Sequence, residues 1–496
     1  MKGCLEMQTS KASEMRNYPE NTAVRKTINN FTEEYEYFLK EYLFRLFGIA
    51  KDTDLTPDFK SGKDEVPRVD LKDGWIVFSA YRKTYFKIPV SVMPLADTDS
   101  ISLAISIIDA FLFCSEYKSA KEDDRRNRYR SEVARDQAYK LAIQDGIGQW
   151  IFGSTDAETL GKFFDLLEKW SVKTYEGKHV TLGFLVNPSS QADVMLPFNE
   201  LLSFLNDDSS AVLSDCIHSV LEVDKKCNFV GYHSITENLT DLPACKLNEN
   251  VPIRFIQAVQ QFLPEKNNEV GSDKVGVFLL SNGDILLVKN GTTRFVKRNL
   301  QWLNLSEPAF ANSLRTVVGS VPTNPDLETA QNQILKSVYA SVLDVSFSHT
   351  GGIIAIVKPD CIVNLMEERI LSPSDNLQIS DQQAKDLATA YKLNDPPKEK
   401  IIRRKLLKQL ITNHRFYKLD RKLRCELIAL DGACIIDNQD GTVYSFGAII
   451  QNDSGSATGG RSAAAKKLSQ YGAAIKVSTD GYIDVFINEE LVYSIK

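Results

Sequence analysis

Apolar residues recur every three or four positions from Asn21 to Gly48 (Phe31, Tyr35, Phe38, Leu39, Tyr42, Leu43 and Leu46), a spacing that predicts an amphipathic helix bracing the N-terminal region. Lys51–Asp70 is polar, charged and Pro-containing and reads as a loop. Gly74–Phe78 and Thr84–Val92 predict a strand pair, and Ser100–Tyr117 a buried helix. Lys118–Arg135 mixes both charges and reads as a solvated helix face. Thr155–Trp170 has helical spacing again, and Val180–Val186 reads as a strand. Helix and strand alternate in this way over residues 1–245, the pattern of an α/β domain.

The pattern changes near Val251. Val275–Leu280 and Asp284–Lys289 flank Asn282-Gly283, a strong hairpin signal, and Asn290-Gly291 repeats the turn before a third strand at Thr292–Val296. Residues 251–325 are therefore expected to form a small antiparallel meander that connects to, or belongs with, the next domain. Within 326–496, Asp326–Ser346 reads as a long helix and the double glycine Gly351-Gly352 leads into a short buried strand ending at Val357. The fold class expected for the whole is mixed α/β (α+β): an α/β N-terminal domain, then a C-terminal mixed sheet flanked by helices.

Length and composition narrow the chemistry. The chain has 496 residues, 59 Lys+Arg against 65 Asp+Glu, and a net charge of −6. That is ordinary for a folded protein and excludes collagen-like, disordered and disulfide-scaffold classes. The most apolar stretches, Ile101–Phe113 and Gly352–Val357, are interrupted by Asp109 or too short to span a bilayer, and the first residues lack the apolar region of a secretion signal. The eight cysteines (Cys4, Cys114, Cys216, Cys227, Cys245, Cys361, Cys425 and Cys434) form no C-x-x-C pair and read as reduced thiols, so a cytoplasmic location is expected. Cys216, His218 and Cys227 fit no familiar zinc spacing. Gly153 to Lys162 has the wrong spacing for a phosphate loop and reads as a helix capped at Ser154 or Thr155.

Residues 398–424 carry eleven Lys/Arg and two acids. Such a segment can contact nucleic acid, but Ile401, Ile402, Leu406, Leu407, Leu410 and Ile411 favour a basic amphipathic helix with its apolar side in the core. The last 70 residues are more informative. Leu427–Ile436 reads as a strand interrupted by Asp431-Gly432-Ala433, and Val443–Ile450 as its hairpin partner. Gly459-Gly460-Arg461-Ser462 then opens an Ala-rich helix, and a final strand pair turns at Ser478-Thr479-Asp480-Gly481. Glycines at a helix N-terminus let backbone N–H groups approach a phosphate, Arg461 adds a cation, and Asp431 is suited to a divalent ion or a ribose hydroxyl.

This order of elements resembles the diadenylate cyclase (DAC) domain family of the DisA-N type over Asp326–Lys496. The similarity lies in the Gly351–Val357 strand, the Asp431-Gly432-Ala433 motif, the G-x-R start at Gly459-Gly460-Arg461 and the Val477–Gly481 hairpin. The resemblance implies a domain that joins two ATP into cyclic di-AMP with Mg²⁺ or Mn²⁺. It implies catalytic roles for Asp431 and Arg461, nucleotide contacts at Gly432, Ala433, Gly459, Gly460, Ser462 and Ser478, and metal contacts at Asp431 and Asp480. Ser462 and Ala463 replace the family's His and second Arg, Gln470 replaces a Glu, and Thr479-Asp480 replaces Glu-Glu. A triphosphate clamp thinned in this way suits binding better than catalysis. The expectation is a divergent, sensor-type member that binds ATP or a cyclic dinucleotide in a bacterial signalling or antiphage system, as a homo-oligomer or with an operon-encoded effector. The alternatives are an active diadenylate cyclase and an inert assembly scaffold.

Overall fold

The computed structural model describes residues 33–49, 53–57, 68–80, 84–90, 98–115, 125–152, 157–175, 177–205, 214–216, 218–234, 274–289, 292–319, 325–393, 398–411, 415–451 and 459–495. Contacts divide the chain into Met1–Asp165 and Leu166–Lys496.

In the first unit, α1 (33–47) buries Tyr35, Phe38, Leu39, Leu43 and Phe44, the face its spacing predicts, and stops at Gly48 in the left-handed conformation. Strands β1 (Thr56–Pro57), β2 (Arg68–Lys72), β3 (Trp75–Ala80) and β4 (Thr84–Pro89) form an antiparallel sheet in the order β1-β4-β3-β2. Helix α2 (Thr98–Ser115) packs against α3 (Arg125–Phe152), and Phe38 stacks on Phe111 with ring centroids 4.2 Å apart. The expected solvated face at 118–135 proves to be, from Arg125, the start of this longer helix, which buries Tyr139, Ala142, Ile143, Ile147 and Ile151 further along. Residues 118–124 and the Gly153–Asp156 stretch with its expected cap lie outside the described residues, as does most of the 51–70 loop.

Helix α4 (Ala157–Ser171) leads to a short ribbon of β5 (Thr174–Tyr175) and β6 (Lys178–His179). Next come β7 (Leu182–Val186), α5 (Phe198–Phe204), β8 (Ser219–Val223) and β9 (Phe229–Ser234), then β10 (Val275–Leu279), β11 (Ile285–Lys289), β12 (Thr292–Arg298) and β13 (Gln301–Asn304). The hairpins expected in 275–296 are present, but not as a separate meander. Val275–Leu279 pairs along its length with Leu182–Val186, giving one seven-stranded sheet, β13-β12-β11-β10-β7-β8-β9. The division expected at 245–251 thus falls inside a single sheet. Both edges of β10 offer backbone hydrogen bonds, and a strand buried throughout requires a partner on each side.

Helices α6 (Glu307–Val318) and α7 (Pro325–Ser348) precede a second sheet built from β14 (Gly352–Val357), β15 (Ala433–Asp437), β16 (Val443–Ala448), β17 (Gly472–Val477), β18 (Ile483–Ile487) and β19 (Glu490–Ile495). Its order is β16-β15-β14-β17-β18-β19, with β14 and β15 parallel and the other neighbours antiparallel. Helices α8 (Cys361–Glu367), α9 (Asp381–Ala390), α10 (Lys398–Ile411) and α11 (Arg421–Ile428) fill the crossover from β14 to β15, and α12 (Gly460–Ser469) joins β16 to β17. Ile354, Ile356, Cys434 and Ile475 pack on the α7 side in a core that also holds Phe278 and Leu286 of the seven-stranded sheet. Ile353, Ala355, Ile435 and Ala474 pack on Ala465 and Leu468 of α12. Strand β14 is buried on both faces, which is why Gly-Ile-Ile-Ala-Ile-Val reads as an unbroken apolar run.

The fold is mixed α/β, as expected, and among the described residues no helix is long and apolar enough to cross a membrane. Two local expectations are corrected. Leu427 and Ile428 end a helix rather than begin a strand, because Asp420 caps a turn at Leu423 and the apolar pair packs under the sheet. Helix α10 buries Leu407 and Ile411 but also Arg404, while Ile402, Leu406 and Leu410 are more than half exposed. The buried face carries a cation because Arg404 donates to the carbonyls of Asn376 and Ile379, which need partners.

Candidate functional site

Parallel strands β14 and β15 begin at the same end of the sheet, and antiparallel β16 and β17 finish there. Four adjacent strand ends therefore present Gly447, Asp431-Gly432, Thr350-Gly351 and Ser478-Thr479 side by side. Helix α12 begins over this end, because it must return the chain to the start of β17.

Arg461, in the first turn of α12, lays its guanidinium over Gly351. A Cβ placed on Gly351, whose φ is +70°, would lie 2.7 Å from Arg461 Nη1 and 3.3 Å from the Thr479 backbone nitrogen. The absent side chain is what admits the arginine. One strand further, Asp431 is exposed just ahead of β15, and extending the β14–β15 register by two residues sets it opposite Gly351. Neighbouring strands are about 4.8 Å apart, so the Asp431 and Gly351 backbones are adjacent. Asp431 and Arg461 therefore share one end of the sheet.

The other expected residues divide into two groups. Gly459 and Gly460 are exposed at the start of α12, where the N-cap glycine has no side chain to cap the first N–H groups. Asp480 is exposed in the turn after β17 at the same end. Ser478 is half-buried and accepts a hydrogen bond from the Tyr482 N–H, which gives it a turn-forming role. Ala433 lies in the core and Ser462 on the buried side of α12, so both methyl and hydroxyl are packed away from the open end.

Among the described residues no group of three or more His, Cys, Asp or Glu is placed to hold a metal ion. Asp431 and Asp480 belong to turns two strands apart. The described residues at this end do not make a resident metal cage. His218 hydrogen-bonds Asp215 through Nδ1 at 2.5 Å, while Cys216 and Cys227 are buried thiols whose pKa burial pushes up, which is unsuited to zinc. Cys4, Cys114 and Cys245 lie outside what is described of side chains.

The opposite end of β15 is chemically closed. Asp437 is buried, which raises its pKa, and it accepts from the Gln439 and Asp440 N–H groups at 2.5 and 3.0 Å and from the Tyr444 hydroxyl at 3.1 Å. Its hydrogen-bonding capacity is spent on its own turn.

Three residues at this end escape sequence reading. Gly351 is legible only as the start of a strand, Gly447 carries no signal of its own, and Arg403, whose guanidinium lies against Gly447, is hidden in a run of basic residues. Compared with protein-family models, with curated proteins and with solved structures, the chain matches none.

Proposed function

We propose that the C-terminal sheet binds a nucleotide or cyclic dinucleotide at the end where β14 and β15 begin, in the manner of a DAC-like sensor domain. The observation that supports this reading is that Asp431, Arg461 and the N-terminus of α12 lie at one end of the sheet. Each group has a distinct use. The α12 amides and Arg461 favour phosphate oxygens, and Asp431 accepts from a ribose hydroxyl or meets a divalent ion, Mg²⁺ or Mn²⁺, carried on the phosphates.

Catalysis is the weaker reading, because phosphoryl transfer rests on dense charge neutralisation and Ser462 and Ala463 stand where the family pattern has His and a second Arg. Isothermal titration with ATP and cyclic di-AMP tests the proposal. Binding that drops about tenfold or more in Asp431→Asn and Arg461→Gln is expected, since a charge-assisted hydrogen bond contributes roughly 1.5–3 kcal/mol. Absence of heat with every nucleotide defeats it. Incubation with ATP and Mn²⁺ followed by mass spectrometry separates binder from cyclase: unchanged ATP is expected, and a cyclic product lost in Asp431→Asn establishes the cyclase instead.

A further inference from the structure

We infer that Arg403, from helix α10, is a second phosphate-binding cation of this site and selects ligands with at least two phosphate groups; the inference rests on the nucleotide reading above. Much of segment 398–424 is committed to contacts within the fold. Lys400 pairs with Asp375 at 2.8 Å, Arg415 with Asp440 at 2.6 Å and Arg421 with Asp344 at 2.7 Å. Arg404 and Lys408 donate to the Ile379 carbonyl at 2.8 and 2.6 Å, and Arg424 to the Tyr417 carbonyl at 3.3 Å. These cations hold the crossover together and tie it to α7 and to the β15–β16 turn.

Arg403 behaves differently. It is exposed and has no hydrogen bond or ion pair with any described residue; its charge reaches Asp375, which Lys400 already neutralises. Its guanidinium rests on Gly447, where a Cβ would collide with Nη2 and lie 3.0 Å from Cζ. The same Cβ would lie 3.0 Å from the Asp431 carbonyl oxygen, and Gly447 has φ +60°. A glycine at the end of β16 thus seats one arginine beside Asp431, as Gly351 at the start of β14 seats the other. Across the strand ends the sequence is Arg403, Asp431, Arg461.

The spacing bears on the ligand. Gly447 and Gly351 belong to strands on either side of β15, so the seats are about 10 Å apart. A single phosphate reaches both cations only at full stretch, whereas a chain of phosphates offers each cation oxygens of its own. A polyphosphate chain, or the two phosphates of a cyclic dinucleotide, is long enough. Arg403 then supplies from another helix part of the positive charge that Ser462 and Ala463 do not provide on α12.

Titrate the full-length protein and its Arg403→Gln and Arg403→Lys variants with ATP and AMP, with circular dichroism melts as the check on folding. Arg403→Gln is expected to weaken ATP about tenfold and AMP less than threefold, at an unchanged melting temperature, with Arg403→Lys intermediate for ATP. A loss for ATP under threefold, or an equal loss for ATP and AMP, overturns the role of Arg403 while leaving the site intact. A wild-type protein that binds neither nucleotide defeats the nucleotide reading itself.

Discussion

Arg298 Nη1 donates to the carbonyl oxygen of Gly481 at 2.6 Å. The same guanidinium is held by Asp284, with Nε 3.0 Å and Nη2 2.6 Å from Oδ2, and both side chains are buried. A strand of the seven-stranded sheet thereby holds the β17–β18 turn of the six-stranded sheet, and that turn carries Thr479 beside Arg461 and the exposed Asp480.

Replacing Arg298 with Leu leaves the Asp284 carboxylate buried beside an apolar side chain. Loss of one partner of a buried pair costs about 3–5 kcal/mol, and removing both costs less because no lone charge remains. Urea denaturation is expected to give a larger loss for Arg298→Leu than for Arg298→Leu combined with Asp284→Asn. Equal losses would mean that the pair contributes no coupling.

Acid should expose the same pair. Burial opposes ionisation of Asp284, but the hydrogen bonds and charge of Arg298, with His349 Nε2 3.8 Å away, outweigh it and hold its pKa below the ordinary value. The unfolded chain therefore takes up a proton at a higher pH than the folded one does. The stabilisation is complete above the ordinary value of about 3.9 and is lost as pH falls through the lower native value. Asp375 and Asp437, raised by burial, act with the opposite sign, losing stability as pH climbs from that ordinary value through their native ones. Asp284→Asn is expected to flatten the fall of unfolding free energy below about pH 4, measured by urea titration at several pH values.

Gly351→Ala tests the seat of Arg461. A methyl group at φ +70° is strained and would press Nη1 aside, so nucleotide affinity should fall, though less than in Arg461→Gln, which removes the charge, with a stability loss of about 1–3 kcal/mol. Wild-type affinity in this variant would show that the arginine does not act from its place over the glycine.

The two faces of α10 can be told apart by paired substitutions. Leu407 is 9% exposed and Leu406 57%. Leu407→Ala should cost about 2–5 kcal/mol and Leu406→Ala under about 0.5 kcal/mol in a denaturation experiment. The reverse order would assign the core to the opposite face.

Residue spacing alone determined the elements whose pattern is local. The helix at Pro325–Ser348, the hairpin around Asn282-Gly283 and the buried run Gly352–Val357 are legible because periodicity and turn chemistry act within a few residues. Asp431, Arg461 and the glycines at 459 and 460 are legible as candidate phosphate-binding chemistry for the same reason. Strand partnership is not local: β10 takes its second partner from nearly a hundred residues earlier, and α10 turns a cation inward because two carbonyls elsewhere need donors. Arg403 joins Asp431 through a glycine more than forty residues further along the chain, and only the folded sheet brings those three positions together. Backbone hydrogen bonding and close packing, satisfied across distant segments, made that choice.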